Sequence, residues 1–198
     1  MLTKQQEIEK RLFDIVFSLF GLVLFFILIV FLILLSTIST KQFGVFSQQR
    51  VGRYGHLFIM YKIRTMKFQD KDNFITILND SRVTKIGKVL RKYKLDELPQ
   101  LLNVLLGDMS FVGPRPDVKG YADKLVGEDR VILSVKPGIT GVATLKYRDE
   151  DVLLSQKENP KVYNDTVIWK EKVKLNKTYI KNWSFFGDIK LIIHTIFY

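Results

Sequence analysis

Two adjacent acidic residues, Asp96 and Glu97, precede an apolar segment that leads to a proline-flanked arginine, Arg115. A pair of carboxylates can hold Mg²⁺, and a guanidinium fixed between Pro114 and Pro116 can bind phosphate through two parallel hydrogen bonds. Together these residue types indicate phosphoryl chemistry. A purely structural interpretation is also open: Asp96 caps a helix, and Glu97 interacts favourably with the positive end of the helix dipole.

A helix must position the two acids under either interpretation. Apolar residues recur at three- and four-residue steps after the acids, as in a packed helix. They are Leu98, Leu101, Leu102 and Leu105. The pattern predicts a helix with Asp96 as its N-cap, Pro99 in its first turn and Gly107 at its end. Asp108, just beyond, is interpreted as structural, bonding nearby backbone N–H groups.

Composition limits the chemistry that is available. The chain has 198 residues, enough for one domain and an anchor, and its 31 basic and 20 acidic residues give a net charge of +11. Such an excess favours anionic partners: nucleic acid, acidic lipid headgroups or phosphorylated substrates. Without cysteine, disulfides, thiol catalysis and cysteine-bound zinc are excluded. With only two histidines, an enzyme here must rely on carboxylates, Arg, Lys and a hard cation.

Residues 15–35 are apolar except for Ser18 and Gly21, and such a segment is long enough to cross the hydrocarbon core of a bilayer. We predict a membrane anchor over residues 1–40 and a catalytic domain over residues 41–198. Basic residues are more numerous after the anchor, which indicates a domain on the cytoplasmic side of the membrane. Further basic residues precede it, and we therefore expect a re-entrant or steeply tilted helix. The preceding ones are Lys4, Lys10 and Arg11.

The remaining segments predict an α+β domain that is mostly helical. Residues 45–53 and 57–66 read as a short β-hairpin, with Lys62 and Arg64 on one face. Residues 67–80 read as a polar loop, 84–93 as a basic helix, 121–133 as a helical stretch and 148–176 as helical segments interrupted near Pro160. The aromatic end, 183–198, suits an amphipathic helix in the membrane interface, although packing on the domain explains its composition equally well.

Six segments resemble the small monotopic phosphoglycosyl transferase family of bacterial sugar transferases, and the resemblance runs nearly end to end. The most specific is Leu95–Pro116, which contains Leu-Asp-Glu-Leu-Pro-Gln, Gly-Asp-Met-Ser and Gly-Pro-Arg-Pro at this spacing. The others are residues 10–14, 46–52, 61–66, 82–91 and 136–141. This resemblance favours the catalytic over the capping interpretation of Asp96.

The resemblance implies a reaction. Such enzymes move a phosphosugar from a nucleoside diphosphate sugar, usually a UDP-sugar, to polyprenyl (undecaprenyl) phosphate and release UMP, as the first membrane step of a glycan or polysaccharide pathway. It implies Asp96 as the nucleophile, and Mg²⁺ held by Asp96 and Glu97. The expected partners are both substrates and membrane lipid, without nucleic acid.

Phosphoryl transfer depends mainly on positioning and charge neutralisation, and this suggests further site residues. Arg115 is the first candidate for phosphate binding. The secondary candidates, each of which could equally contact lipid headgroups, are Lys62, Arg64 and Arg91. Gln100, Pro114 and Pro116 are motif residues that support the site.

One feature departs from the family pattern. Members often carry a Ser-Pro pair that breaks the anchor helix, whereas this chain has Phe26-Ile27 there. Two other functions are left open by the sequence. A membrane-anchored basic module that binds lipid would explain the charge, and a Mg²⁺-dependent phosphohydrolase would use the same acids without a lipid acceptor.

Overall fold

One long helix organises the fold. The computed structural model describes residues 2–67 and 80–197, so most of the predicted polar loop lies outside the described residues. Helix α1, Lys4–Thr40, is 37 residues long, which corresponds to about 55 Å. Its N-cap is Thr3, which forms reciprocal hydrogen bonds with Gln6. Among the helices of the described residues, α1 alone has the length and apolar composition to cross a bilayer.

Helix α1 runs unbroken through Phe26 and Ile27, and it packs against the rest of the chain along one face. The buried residues of that face are Lys10, Asp14, Ser18, Gly21, Leu32, Ser36 and Thr40. At Gly21 a Cβ would lie 3.1 Å from a methyl group of Leu101, so the glycine permits close contact between helices. The opposite face exposes large apolar side chains, including Val23 and Ile27.

The predicted hairpin and basic helix are both present. Strands β1, Val45–Val51, and β2, Leu57–Ile63, pair antiparallel. Helix α2, Lys85–Lys92, begins after Thr84, whose Oγ1 accepts a hydrogen bond from Gly87 N at 2.9 Å. A threonine acceptor at this position satisfies one of the free N–H groups of the first turn.

The prediction that Asp96 is a helix N-cap is wrong. Residues Leu95–Glu97 form a 3₁₀ turn, and helix α3, Gln100–Leu106, begins after Pro99, which makes no side-chain cap. The reason is the backbone of Lys94, which is left-handed (φ 55°) and starts a tight turn before the helix. Gly107 ends α3 with a φ of 96°, as predicted.

A second, parallel pair of strands carries the Gly-Pro-Arg-Pro turn. Strands β3, Ser110–Val112, and β4, Gly138–Thr140, are joined by Gly113 N to Thr140 O at 2.9 Å and by Gly138 N to Pro114 O at 2.8 Å. A Cβ on Gly138 would lie 2.1 Å from Gly113 N, so only glycine permits this approach. The turn therefore leaves β3 with a fixed direction.

The C-terminal half is helical. The predicted helical stretch at residues 121–133 is instead two 3₁₀ segments, Ala122–Lys124 and Gly127–Ser134. The α-helices are α4 (Val142–Lys146), α5 (Glu150–Ser155), α6 (Pro160–Tyr163), α7 (Trp169–Lys181) and α8 (Phe185–Phe197), with a π-helical turn at Asn164–Ile168.

Helix α8 is tied to α1 and α7 by a buried acid. Asp188 pairs with Lys10 and accepts hydrogen bonds from Tyr179 Oη at 2.8 Å and Trp183 Nε1 at 3.0 Å. The other face of α8 is exposed, and the side chain of Phe186 on it is 83% accessible. Packing on the domain is therefore confirmed for one face of α8, whereas its position in the membrane interface stays a prediction.

Candidate active site

Glu97 is the centre of a charged cluster. Its Oε1 accepts hydrogen bonds from Lys62 Nζ at 2.9 Å and Arg115 Nη2 at 2.7 Å. The Glu97 side chain is 9% exposed, whereas that of Arg115 is 43% exposed. Burial alone would raise the pKa of Glu97, but Arg115 and Lys62 outweigh burial and hold this pKa well below its usual range. Glu97 is thus an ionised carboxylate that holds two cations together, and one of them reaches solvent.

Separate elements supply these side chains. Lys62 comes from β2, Glu97 from the 3₁₀ turn before α3, and Arg115 from the turn after β3. Pro114 and Pro116 are buried on either side of Arg115, and their rings restrict the backbone of the turn. The structure therefore brings together residues that are far apart in the sequence.

Asp96 lies beside this cluster. Its side chain is buried, and within residues 2–67 and 80–197 its Oδ1 has no hydrogen-bond partner. Burial and the neighbouring Glu97 carboxylate raise the pKa of Asp96, while Lys62 and Arg91 act in the opposite direction. A buried carboxylate oxygen without a protein partner is costly to maintain, so packing alone does not explain Asp96.

Arg91 interacts with the same acid, and Gln100 is buried at the start of α3. Arg91 Nε donates to Thr65 Oγ1 at 2.9 Å. Burial lowers the pKa of Arg91 and the Asp96 carboxylate opposes that effect, so the two side chains interact electrostatically. Gln100 is 2% exposed, and its Nε2 finds no acceptor in the part of the chain that the structure describes. The motif glutamine is thus a second unpartnered polar group of this region.

Arg64 points elsewhere. Its Nε donates to Phe43 O at 2.9 Å, and its guanidinium lies over the Phe46 ring at 5.5 Å from the centroid. The pKa of Arg64 is lowered by burial, with no contribution from the acidic pair. Lys62 therefore contacts Glu97, whereas Arg64 contacts the backbone of Phe43. Phosphate binding by Arg64 stays a prediction.

The structure adds Arg50 and Asp117, which sequence reasoning did not include in the site. Arg50 Nη1 donates to Pro116 O at 3.3 Å, and Val51 N donates to Asp117 O at 2.9 Å, so β1 supports the Arg115 turn. Burial and then the nearby Arg115 lower the pKa of Arg50 to about 10. Arg50 belongs to the segment 46–52, which resembles the family, and this resemblance was the signal in the sequence that could have indicated Arg50 as a site residue.

Asp117 makes the stability of the protein depend on pH. Burial raises the pKa of Asp117 to about 6, although Lys172 and Arg50 lower it in part. A carboxyl whose pKa is higher in the folded than in the unfolded state stabilises the fold below its unfolded value of about 4, and that contribution is lost as pH rises through 6. We therefore expect Asp117→Asn to raise the melting temperature at pH 7.5.

This gain should shrink as pH falls and vanish near pH 4. Thermal unfolding of both proteins in the same detergent between pH 4 and 8 measures it. A variant that is less stable than wild type at pH 7.5 would show that the surrounding cations stabilise the Asp117 carboxylate more than burial destabilises it.

The acidic pair can contribute to a Mg²⁺ site only together with phosphate. Among the described residues there is no cluster of three or more Asp, Glu or His side chains that could hold a metal by itself. In phosphate-transfer sites, however, Mg²⁺ is commonly held by one or two carboxylates plus substrate oxygens. Asp96 fits that role because its Oδ1 is unpartnered, and Glu97 adjoins it. The donor set is therefore compatible with Mg²⁺ on a bound diphosphate.

A buried, unpartnered carboxylate beside clustered Lys and Arg side chains is an arrangement suited to chemistry on phosphorylated substrates. The bacterial sugar transferase family matches residues 5–198. The chain belongs to this family, and it is a sugar-phosphate transferase.

Three relatives illustrate the similarity. The uncharacterized sugar transferase EpsL of Bacillus subtilis (strain 168) is 37% identical over 190 residues, which cover 96% of this chain and 86% of EpsL. Galactosyl transferase CpsE of Streptococcus agalactiae serotype III (strain NEM316) is 39% identical over 204 residues, covering 96% of this chain and 41% of CpsE. UDP-glucose:undecaprenyl-phosphate glucose-1-phosphate transferase of Escherichia coli (strain K12) is 36% identical over 194 residues, covering 95% and 39%. The chain thus spans about two fifths of the longer relatives.

Proposed function

We propose that this protein transfers a phosphosugar from a UDP-sugar to undecaprenyl phosphate, giving undecaprenyl-diphosphate sugar and UMP. The observation that carries the proposal is Asp96, a buried carboxylate with an unpartnered oxygen, next to Glu97 with its two bound cations. The E. coli relative is named for UDP-glucose and undecaprenyl phosphate, which supports the donor and acceptor classes.

In the first step, a carboxylate oxygen of Asp96 attacks the sugar-bearing phosphorus of the donor. The bond from that phosphorus to the oxygen bridging the two phosphates breaks, and UMP leaves with the electron pair. Asp96 then carries the phosphosugar as an acyl phosphate. Burial raises the pKa of Asp96. Once the carboxyl group has lost its proton, it is a buried and poorly solvated anion, and it is therefore reactive.

In the second step, a phosphate oxygen of undecaprenyl phosphate attacks the same phosphorus. The acyl-phosphate bond breaks, the product leaves and the Asp96 carboxylate is regenerated. Arg115 and Lys62 carry the positive charge that balances the phosphate oxygens in both steps, and Glu97 holds these cations in place. Bound Mg²⁺, held by Asp96 and Glu97 together with the diphosphate, would neutralise charge on the departing UMP.

UMP release tests the proposal. The full chain, purified in detergent, is incubated with individual UDP-sugars and Mg²⁺, with and without undecaprenyl phosphate. We expect multiple turnovers only when the acceptor is present, and at most one equivalent of UMP per enzyme without it. Continued release without acceptor would indicate a phosphohydrolase. No release with any UDP-sugar would overturn the choice of donor, and lipid binding alone would leave the non-enzymatic interpretation.

We further propose that the protein is monotopic: both ends of α1 face the cytoplasm, and the apolar face of α1 lies in the inner membrane. Near its start, Glu7 forms an ion pair with Arg53; near its end, Ser36 Oγ donates to Arg64 O at 2.5 Å. Because one domain contacts both ends, a spanning orientation would draw that charged domain into the bilayer. A straight helix lying along the domain thus supports same-side topology without the family's helix break.

Cysteine labelling tests the topology, since the chain has no native cysteine. Lys4 is exposed and leaves the Thr3 cap intact, so Lys4→Cys offers a single accessible thiol. In intact cells we expect no reaction with a membrane-impermeant maleimide until the membrane is permeabilised. Glu158→Cys, exposed on the domain, is the matched marker for the cytoplasm. Reaction of Lys4→Cys alone before permeabilisation would place the N-terminus outside and overturn the monotopic arrangement.

A further inference from the structure

An acid of the anchor helix contacts the strand that leads to Arg115. Asp14 is 2% exposed, and its Oδ1 accepts hydrogen bonds from Ser110 Oγ and from Phe111 N, both at 3.0 Å. These bonds hold β3 on its side away from β4. The partner strand holds the other side, through Ser110 N to Pro137 O at 2.8 Å. The start of β3 is therefore fixed from two directions, by β4 and by the anchor helix.

A second residue of the same helix fixes the end of α3. Arg11 donates from Nη1 to Val104 O at 2.6 Å and from Nη2 to Leu105 O at 2.7 Å. These carbonyls belong to the last turn of α3, where a cation is favourable. A Cβ on Gly107 would lie 3.3 Å from Arg11 Nη2, so the glycine leaves room for the guanidinium.

These two contacts lie on either side of the connection between the halves of the site. Asp96 and Glu97 immediately precede α3, and Arg115 follows β3. Arg11 and Asp14, which lie within one turn of α1, thus contact the end of α3 and the start of β3, respectively. Asp14 Oδ1 is the acceptor that Ser110 Oγ and Phe111 N share, so loss of this side chain would release the start of β3 on the side away from β4.

We propose that Asp14 is a positioning residue for the transfer reaction: by holding β3, it sets the location of the Arg115 guanidinium relative to Asp96 and Glu97. The anchor helix would then support the active site directly, in addition to attaching the protein to the membrane. The inference rests on the proposed function for its kinetic consequence, but its structural consequence can be measured without any turnover.

The structural consequence is measured by hydrogen exchange of the full chain in detergent, followed by mass spectrometry of peptides that cover residues 107–116. Asp14→Ala should speed exchange in this segment, and Asp14→Asn, which keeps an acceptor, should not. Ser18→Ala is the matched control, because Ser18 is buried one turn later on the same face and, among the described residues, its hydroxyl bonds only to Asp14 O and Ile15 O of α1 itself. Unchanged exchange in Asp14→Ala would overturn the inference, whether or not the protein proves to be a phosphosugar transferase.

The kinetic consequence is measured by a double-mutant cycle with Arg115→Ala. A small misplacement of a positioning group can lower the rate considerably, so we expect Asp14→Ala to lower kcat/KM by about 10²-fold and Asp14→Asn to restore most of it. In the Arg115→Ala background, the same Asp14→Ala change should cost about threefold or less, because the group that Asp14 positions is already absent.

Equal losses in both backgrounds would mean that Asp14 stabilises the fold without positioning Arg115, and would overturn the inference. Melting temperatures of all variants separate a loss of folded protein from a loss of rate. Turnover by the wild-type enzyme, measured in the same assay, distinguishes a failure of the role of Asp14 from a failure of the proposed function. Turnover by wild type without coupling contradicts only the role of Asp14, whereas absence of wild-type turnover contradicts the proposed function.

Discussion

Asp96→Asn is expected to abolish turnover while the protein stays folded and membrane-associated. The amide is nearly isosteric with the carboxylate, but it is neither a nucleophile nor a good Mg²⁺ ligand. Because Asp96 Oδ1 has no hydrogen-bond partner within the described residues, the substitution breaks no bond at this atom. Loss of a nucleophile typically lowers kcat by about 10⁴-fold or more, and UMP release measures it.

Asp108→Asn is the matched control for this change. Asp108 lies just beyond the other end of α3, where its Oδ2 accepts a hydrogen bond from Asn103 Nδ2 at 3.3 Å. The Asp108 carboxylate thus bonds a side chain, whereas the sequence predicted bonds to local backbone N–H groups. We expect Asp108→Asn to stay within about tenfold of wild type, which fits loss of one weak bond. Comparable activity of Asp96→Asn would remove Asp96 from the role of nucleophile.

A direct observation would complement the kinetics. Wild-type enzyme given a UDP-sugar without undecaprenyl phosphate should accumulate the acyl phosphate, and mass spectrometry should find the phosphosugar on Asp96. The raised pKa of Asp96 also implies that the acidic limb of the rate profile lies at higher pH than for an ordinary aspartate. A phosphosugar attached to another residue would contradict the mechanism.

Arg115→Lys is expected to be nearly as damaging as Arg115→Ala. Lysine keeps the charge, but it lacks the planar group that can bond Glu97 and phosphate oxygens at the same time. In the described part of the chain, Arg115 uses only Nη2 for a protein acceptor, Glu97 Oε1, which leaves its other N–H groups for phosphate. We expect both variants to lose about 10²- to 10³-fold in kcat/KM, typical of a lost donor to transition-state charge.

Arg64→Lys is the control for the loss of a guanidinium. Arg64 bonds the carbonyl of Phe43, at the end of α1, and lies apart from the acidic pair. If these contacts keep Arg64 away from the substrate, its replacement should cost about threefold or less in kcat/KM; a larger loss would support the phosphate binding predicted for it. If Arg115→Lys restores most activity, Arg115 acts as a simple charge; if Arg64→Lys is equally damaging, both arginines contact substrate.

The sequence predicted those features that depend on local pattern. Alternation of polar and apolar residues predicted the hairpin of β1 and β2, and Thr84 and Gly107 marked a helix start and a helix end that the structure contains. The apolar run predicted α1, and the spaced motifs identified the family over nearly the whole chain. Such features follow from backbone preference and side-chain periodicity within a few turns, so neighbouring residues are sufficient to determine them.

Tertiary structure decided which of the candidate groups meet. The sequence offered Lys62 and Arg64 as equivalent, but packing of β2 against the turn before α3 joined only Lys62 to Glu97. Asp96 became an unpartnered buried acid because the left-handed backbone of Lys94 moved the helix start to Pro99. The contact of Asp14 with β3 joins segments separated by 97 positions. Such contacts depend on how whole elements bury their apolar faces together, and no local spacing encodes that arrangement.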